Sequence, residues 1–228
     1  MRLLILLLGA AMCQAFPREG SPKYAYIVAS TAGNLPSAAR DALTHGVLWS
    51  RRGFQLRYYL DFSLQEYVTL QRNLQQRGLS ATFGEMQLLT QDLSREEGAD
   101  IILTISAHGY QQPYHHIVFK GKRLEPRHWL NGYHQHPTIK VMAVIDTCHS
   151  GPMMGLTRQD GSICSLAACR AEQSVMDDLS TEFGFGGGLT SCLADVLGIN
   201  PSLDVQTILT RCQARMACTG AQPHLTWG

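Results

Sequence analysis

Cys148 and His108 are the two side chains of this sequence best suited to making and breaking covalent bonds. Cys148 lies in VMAVIDTCHSG at 141–151, and His108 in ILTISAHGY at 102–110. The thiolate is the attacking form of cysteine, and a free thiol, with a pKa of about 8.5, needs a base to take its proton. Imidazole titrates near neutrality, so it can accept that proton and later pass it to a leaving amine. A nucleophile and a proton shuttle together are the parts of acyl transfer through a thioester. Gly109, directly after the histidine, has no side chain to obstruct a carbonyl approaching the site. A cysteine or a histidine alone reads more readily as a core residue. The pair, with flanking glycines at matched strand ends, points to chemistry.

Both residues follow short, β-branched apolar runs that stop abruptly at polar residues. Such runs suit interior strands of a sheet covered on both faces. In an open α/β sheet ligands sit at the carboxyl ends of the strands. Two neighbouring parallel strands would therefore present His108 and Cys148 at one edge. The rest of the chain predicts further strands at 24–30, 56–60, 117–119 and 163–169. Helices are predicted at 37–49, 85–96, 126–130, 189–197 and 203–217. One more opens at Ser63 with Glu66 three residues on, a capping-box signature, and stops at Gly78. The βαβα alternation has no repeats or low-complexity stretches. It predicts an α/β fold with a mainly parallel sheet between two helical layers, a three-layer αβα sandwich.

Composition sets outer bounds. The chain has 228 residues, 45% hydrophobic and 16% charged, which suits one compact domain over 16–228. A net charge of +1 gives no reason to expect nucleic acid or an anionic membrane as partner. Arg2, the apolar run at 3–12 and Cys13-Gln14-Ala15 read as a secretory signal peptide over 1–15, too short to span a bilayer. Cleavage after Ala15 would start the mature chain at Phe16 and send it to the periplasm or the exterior, with no stable membrane association. An uncleaved anchor or a lipidated Cys13 is the alternative, although Ala10-Ala11-Met12 fits a lipidation box poorly. Of seven cysteines, loss of Cys13 and retention of Cys148 as a thiol leave Cys164, Cys169, Cys192, Cys212 and Cys218. Those five allow at most two disulfides, with connectivity open, and they read equally well as small buried hydrophobes.

SAHG at 106–109 is similar to Ser-Gly-His-Gly, and DTCHSG at 146–151 to Asp-Ser-Cys-His-Ser-Gly, the two signatures of the caspase–metacaspase group of cysteine peptidases. The chain resembles that group, nearest to its small prokaryotic-type, metacaspase-like members. Weaker similarities run in order along the sequence: AARDA at 38–42, AACRAEQS at 167–174, GGGLTSCL at 186–193 and Gln222-Pro223. Legumain-like and gingipain-like peptidases also carry His-Gly and a cysteine on such strands, but Asp-x-Cys-His-Ser-Gly favours the metacaspase side.

The resemblance implies a caspase-like sheet, a Cys148–His108 dyad, and an oxyanion hole from the backbone N–H groups of Gly109 and Cys148. It also implies an acidic pocket for the Arg or Lys before the scissile bond, at Asp41, Ser106 and Asp146. Strand alternation puts Asp146 on the same side as Cys148, and a carboxylate in a partly enclosed pocket favours a cation. Caspases cut after Asp and would need a basic pocket, which nothing here supplies. Asp41 has a second reading, a solvated carboxylate in the first turn of a helix.

The sequence departs from the family pattern in three ways: Ala38 replaces a cysteine, Ala107 replaces a glycine, and apart from Asp146 no Asp occurs between His108 and Cys148. That segment carries Lys120, Lys122, Arg123 and Arg127, with Glu125 but no acidic cluster, and Gly155 stands beyond the nucleophile. Calcium takes six to eight oxygen ligands, so a calcium site is expected to be missing. Activity should be the same in EGTA as with calcium; a calcium response would point to Asp160, Asp177 and Asp178. Seven of the nine histidines (108, 115, 116, 128, 134, 136, 149) fall in one stretch. His134-x-His136 with Cys148 could hold zinc or copper, but His-x-His is a loose signal with no CxxC beside it. FGFGGG at 183–188 lacks the context of a dinucleotide loop and reads as a substrate-flanking loop.

The reading is therefore an exported, calcium-independent cysteine endopeptidase cutting after Arg or Lys, with protein or peptide substrates and no cofactor or metal. The alternative is a non-catalytic caspase-like binding or scaffold protein, against which an intact His108 and Cys148 stand.

Overall fold

The computed structural model describes residues 17–94, 96–111, 114–132, 138–148, 150, 163–168, 179–181, 184–199, 207, 208, 210–212 and 224–226. The chain runs β1 (Lys23–Ser30), α1 (Ser37–Ser50), β2 (Gln55–Asp61), α2 (Leu64–Gln76), β3 (Ala81–Phe83), a 3₁₀ turn (Met86–Leu88) and α3 (Leu89–Ser94). Next come β4 (Asp100–Ser106), β5 (Gly109–Tyr110), β6 (His116–Phe119), β7 (Lys122–Leu124), α4 (Pro126–Gly132) and β8 (Lys140–Asp146). The described elements close with β9 (Ile163–Ala167), β10 (Leu179–Thr181), β11 (Gly184–Gly186), α5 (Gly188–Ile199) and β12 (His224–Thr226).

Seven strands form the main sheet in the order β12-β9-β8-β4-β1-β2-β3. All neighbours are parallel except β12, which runs antiparallel to β9. The period-two pattern of the strands builds two cores. Ala25, Ile27, Ala29, Ile102, Met142 and Val144 face α1, α2 and α5, whose Ala38, Leu70 and Leu189 are buried against them. Tyr26, Val28, Ile101, Leu103, Ile105 and Ile145 face the other way, toward Leu89 of α3 and Trp129 of α4. A sheet covered on both faces needs strands apolar at every position, which is why β1, β4 and β8 read as unbroken hydrophobic runs. Each fully buried branched aliphatic side chain contributes roughly 1.5–3 kcal/mol. The fold is a three-layer α/β sandwich with a mainly parallel sheet.

From β1 the sheet grows outward to β2 and β3, and the chain then returns to add β4, β8 and β9 on the other side. The border of β1 and β4 is thus a topological switch point, where a crevice opens at the strand carboxyl ends. Register brings those ends level, with Ala29 opposite Ser106 and Ser106 opposite Asp146.

The opposite end of the sheet is held by the N-terminal segment. Asp100, fully buried, receives the Arg18 guanidinium at 2.6 Å, while Arg18 Nη2 donates to the carbonyls of Gly98, Ala99 and Thr138. Arg18→Ala leaves the buried Asp100 carboxylate with the backbone N–H of residue 18 but without its charged partner, and is expected to cost roughly 2–4 kcal/mol, somewhat less than a fully dry pair because the guanidinium is partly exposed. Urea unfolding checks this. A change below about 0.5 kcal/mol would show that water replaces the arginine at no cost.

Several local expectations are met and others corrected. Ser63 and Glu66 form the capping box of α2, and Gly78 follows its end at φ +67°. The helix expected at 85–96 is a 3₁₀ turn followed by the short α3. The strand expected at 117–119 is present as β6, whereas β3, β7 and the pairing of β6 with β7 in a hairpin were not predicted. That hairpin turns through Lys120 and Gly121, both at positive φ, without the Asn-Gly or Asp-Gly pair that usually marks such a turn. Gly184–Gly186 is not a loop but a strand, paired antiparallel with Leu179–Thr181. Glycine content argues for a loop locally, and a partner strand overrides it. Cys192 and Cys212 stand as thiols fully buried in the core facing α1 and α5. The signal-peptide reading over 1–15, His134, His136, His149, Asp160, Asp177, Asp178, Cys169, Cys218 and most of 203–217 lie outside the described residues. Among the described residues no helix is long and apolar enough to cross a membrane.

Candidate active site

His108 and Cys148 leave the ends of adjacent strands β4 and β8 and line one crevice of about 50 Å³ together with Leu35, Ser106, Ala107, Asp146 and Thr147. Both are half-buried. The His108 ring is oriented by the loop leaving β1, with Nε2 lying 3.2 Å from the carbonyl oxygen of Gly33. A carbonyl only accepts, so in the neutral ring Nε2 carries the proton and Nδ1 is left as the basic nitrogen. Gly33 is suited to this place twice over. Its φ is +73°, and a Cβ there would lie 2.9 Å from His108 Cδ2. Gly109 is required by close approach as well, because a Cβ on it would lie 2.1 Å from the carbonyl oxygen of Cys148 and 2.9 Å from Thr147 Oγ1. The start of β5 is thereby packed against the backbone that carries the thiol.

The three polar residues expected to form an acidic pocket are brought together. Alternation along β4 and β8 sends Ser106 and Asp146 to the face covered by α1 and α5, where Asp41 of α1 meets them. Ser106 Oγ donates a short hydrogen bond to Asp41 Oδ2, and the N–H of Gly187 donates to Asp41 Oδ1 at 2.9 Å. The N–H of Thr190 donates to Asp146 Oδ2 at 2.7 Å. Two carboxylates therefore share the N-terminus of α5, whose N–H groups lack helical partners and whose dipole favours negative charge. A Cβ on Gly187 would lie 2.5 Å from Asp146 Oδ2 and 2.8 Å from Asp41 Oδ2, so both acids border that one residue. Asp41 is 1% exposed, which removes its reading as a solvated carboxylate in a first helical turn.

Behind the acids lies a hydrogen-bonded chain that sequence reasoning missed. Trp49 Nε1 donates to His45 Nδ1 at 3.2 Å, and His45 Nε2 lies 3.1 Å from Thr190 Oγ1. Indole only donates, so His45 Nδ1 accepts and its Nε2–H donates to the threonine. This ties α1 to the first turn of α5, the turn that holds Asp146. Burial with no carboxylate partner pushes the His45 pKa down to about 3. Below its unfolded pKa of about 6.5 the unfolded chain binds a proton that the folded chain refuses. Stability is therefore expected to fall as pH drops from about 6.5 toward 3, by up to roughly 1.4 kcal/mol per pH unit from this group. His45→Gln, which keeps a donor toward Thr190, should flatten that slope in thermal unfolding between about pH 6 and 4. Identical slopes for the two proteins would show that His45 does not carry the effect.

On the opposite face of the sheet, His115 Nε2 lies 3.0 Å from Thr147 Oγ1, with both side chains buried. This pair fixes the residue before Cys148. Gly33, His45, His115, Gly187 and Thr190 all support the site through tertiary contacts. The signals available in sequence were weak: a glycine in the loop leaving β1 and a glycine run before α5. A larger groove of about 460 Å³ runs between α1 and α2, lined by Arg40, Gln65, Glu66, Thr69, Asn73 and Arg77 among others. It holds no nucleophile and lies on solvated helix faces. Among the described residues no three His, Cys, Asp or Glu side chains cluster as metal ligands would.

No family model matches the sequence, and no curated protein matches it. Among solved structures the chain is similar to eIF2B beta from Chaetomium thermophilum, at 12% identity and a TM-score of 0.30. That similarity covers 68% of this chain and 45% of the other, so the chain spans under half the length of the protein it matches.

Proposed function

We propose that this chain is an exported cysteine endopeptidase that cleaves after Arg or Lys, with Cys148 as nucleophile and His108 as acid and base. The observation that carries the reading is the placement of two buried acids, Asp41 and Asp146, beside the crevice that holds His108 and Cys148. A thiol–imidazole pair alone fits many reactions. An acidic pocket at its edge fits a substrate that presents a cation next to the reacting carbonyl. Guanidinium suits such a pocket best, since its fork of N–H groups can meet several acceptors at once.

In this mechanism Gly33 holds His108 Nε2–H, leaving Nδ1 to take the Cys148 proton. Cys148 Sγ attacks the carbonyl carbon, and the C–O π electrons move to oxygen. The N–H groups of Gly109 and Cys148 stabilise that oxyanion. Collapse breaks the C–N bond, His108 gives its proton to the leaving amine, and a thioester remains. Water, deprotonated by His108, then releases the acid and restores the thiol. No metal or cofactor takes part. The motif resemblance to metacaspase-like peptidases, which itself implies an acidic pocket at these positions, points the same way.

A peptidyl arginyl chloromethylketone tests the reading. Intact-mass analysis should show one adduct, localised to Cys148, forming much faster than with the aspartyl analogue. Asp146→Asn keeps an acceptor for Thr190 and removes the charge. It should slow arginyl labelling as the loss of a buried charged contact of roughly 2–5 kcal/mol would. Equal labelling by the two reagents, or an adduct elsewhere, would count against the proposal.

A further inference from the structure

We infer that Tyr110 forms the wall of a subsite for an apolar or aromatic substrate residue on the leaving-group side of the scissile bond. The inference rests on the peptidase reading and adds to it a preference that the acidic pocket does not set. Tyr110 is 45% exposed, although it belongs to β5 and directly follows the glycine packed against Cys148. An exposed tyrosine is unremarkable on its own, but this one is held in place. Its ring stacks on His116 at 5.4 Å with an interplanar angle of 18°. His116 is itself buried, and its Nδ1 lies 2.9 Å from the carbonyl oxygen of Tyr114. Tyr110 and His116 are opposite each other across the β5–β6 pair, so they share one face of that small sheet.

The same ring lies 6.4 Å, centroid to centroid, from His108. Three rings thus run from the proton shuttle outward over the hairpin: His108, Tyr110 and His116. The acids lie elsewhere, on the face of the main sheet covered by α1 and α5. A substrate whose basic side chain enters among those acids passes its scissile bond between Cys148 and His108. The group that receives the proton from His108 is the leaving amine, so the residue carrying that amine emerges beside Tyr110. A fixed aromatic face there costs little ordering entropy and favours an apolar or aromatic partner over glycine or a carboxylate.

Internally quenched peptides differing only in the residue X after a single arginine test this. Wild-type protein should cleave X = Phe and X = Leu about 5- to 10-fold better, in kcat/KM, than X = Gly or X = Asp. Tyr110→Ala should bring the Phe-to-Gly ratio to within about 2-fold, and Tyr110→Phe should keep the wild-type ratio. Cleavage after arginine with no dependence on X, or a ratio unchanged in Tyr110→Ala, overturns the subsite and leaves the peptidase reading standing. If wild-type protein neither cleaves any member nor is labelled at Cys148 by the arginyl chloromethylketone, the peptidase reading fails and the subsite falls with it.

Discussion

Cys148→Ala is expected to lower kcat/KM on an arginyl peptide by about 10³-fold or more, and His108→Ala by a similar factor. The two residues act as one unit. Without the thiol there is no thioester, and without the imidazole the thiol has no base and the amine no acid. The double variant should therefore be scarcely worse than either single one, because effects within such a unit do not add. Both side chains are half-buried at the mouth of the crevice, so the changes should leave thermal unfolding nearly as it is. Retention of full turnover in purified Cys148→Ala would end the mechanism.

Gly109→Ala should be nearly as damaging without removing any reactive group. The added methyl would sit 2.1 Å from the carbonyl oxygen of Cys148, and the atom it meets is backbone. Either β5 or the turn after β8 must move, and both carry proposed oxyanion donors. Displacing reacting groups by about 1 Å costs about 10²-fold, and loss of one oxyanion donor about 10²–10³-fold. The loss should fall on kcat more than on KM, since the acidic pocket is anchored separately by α1 and α5. A KM change with kcat intact would place Gly109 in ground-state binding instead. Gly109→Ala can also be checked for folding by near-UV circular dichroism, so that an unfolded variant is not mistaken for an inactive one.

What the sequence made legible follows from which signals are local. The apolar runs ending at Ser106 and Asp146 predicted interior parallel strands, and their register sets the two ends side by side. Alternation along those strands predicted which face Asp146 would take. The capping box at Ser63 and Glu66 needed four residues to recognise and is present. The apolar run at 117–119 predicted β6, but β3 and β7 are three residues each, too short for a periodic signal, and their pairing partners decide them. The supports of the site were invisible for a different reason. The carbonyl orienting His108 comes from Gly33, 75 positions earlier, and the N–H groups on Asp41 and Asp146 come from Gly187 just before α5 and Thr190 in its first turn, 146 and 44 positions later. His45 is one residue among many in the predicted helix at 37–49, and only its contact with Thr190 of α5 sets it apart. Long-range contacts of this kind leave no spacing rule in the chain.

The central claim, a thiol peptidase with an acidic pocket, is tested most directly by cleavage-site profiling. A mixed peptide library is incubated with wild-type protein and with Cys148→Ala, and the new termini are read by mass spectrometry. The account predicts cuts that follow Arg and Lys almost exclusively, in wild-type digests only, with Asp no more frequent than background. Cuts following Asp, cuts without regard to the preceding residue, or the same cuts with Cys148→Ala would contradict it.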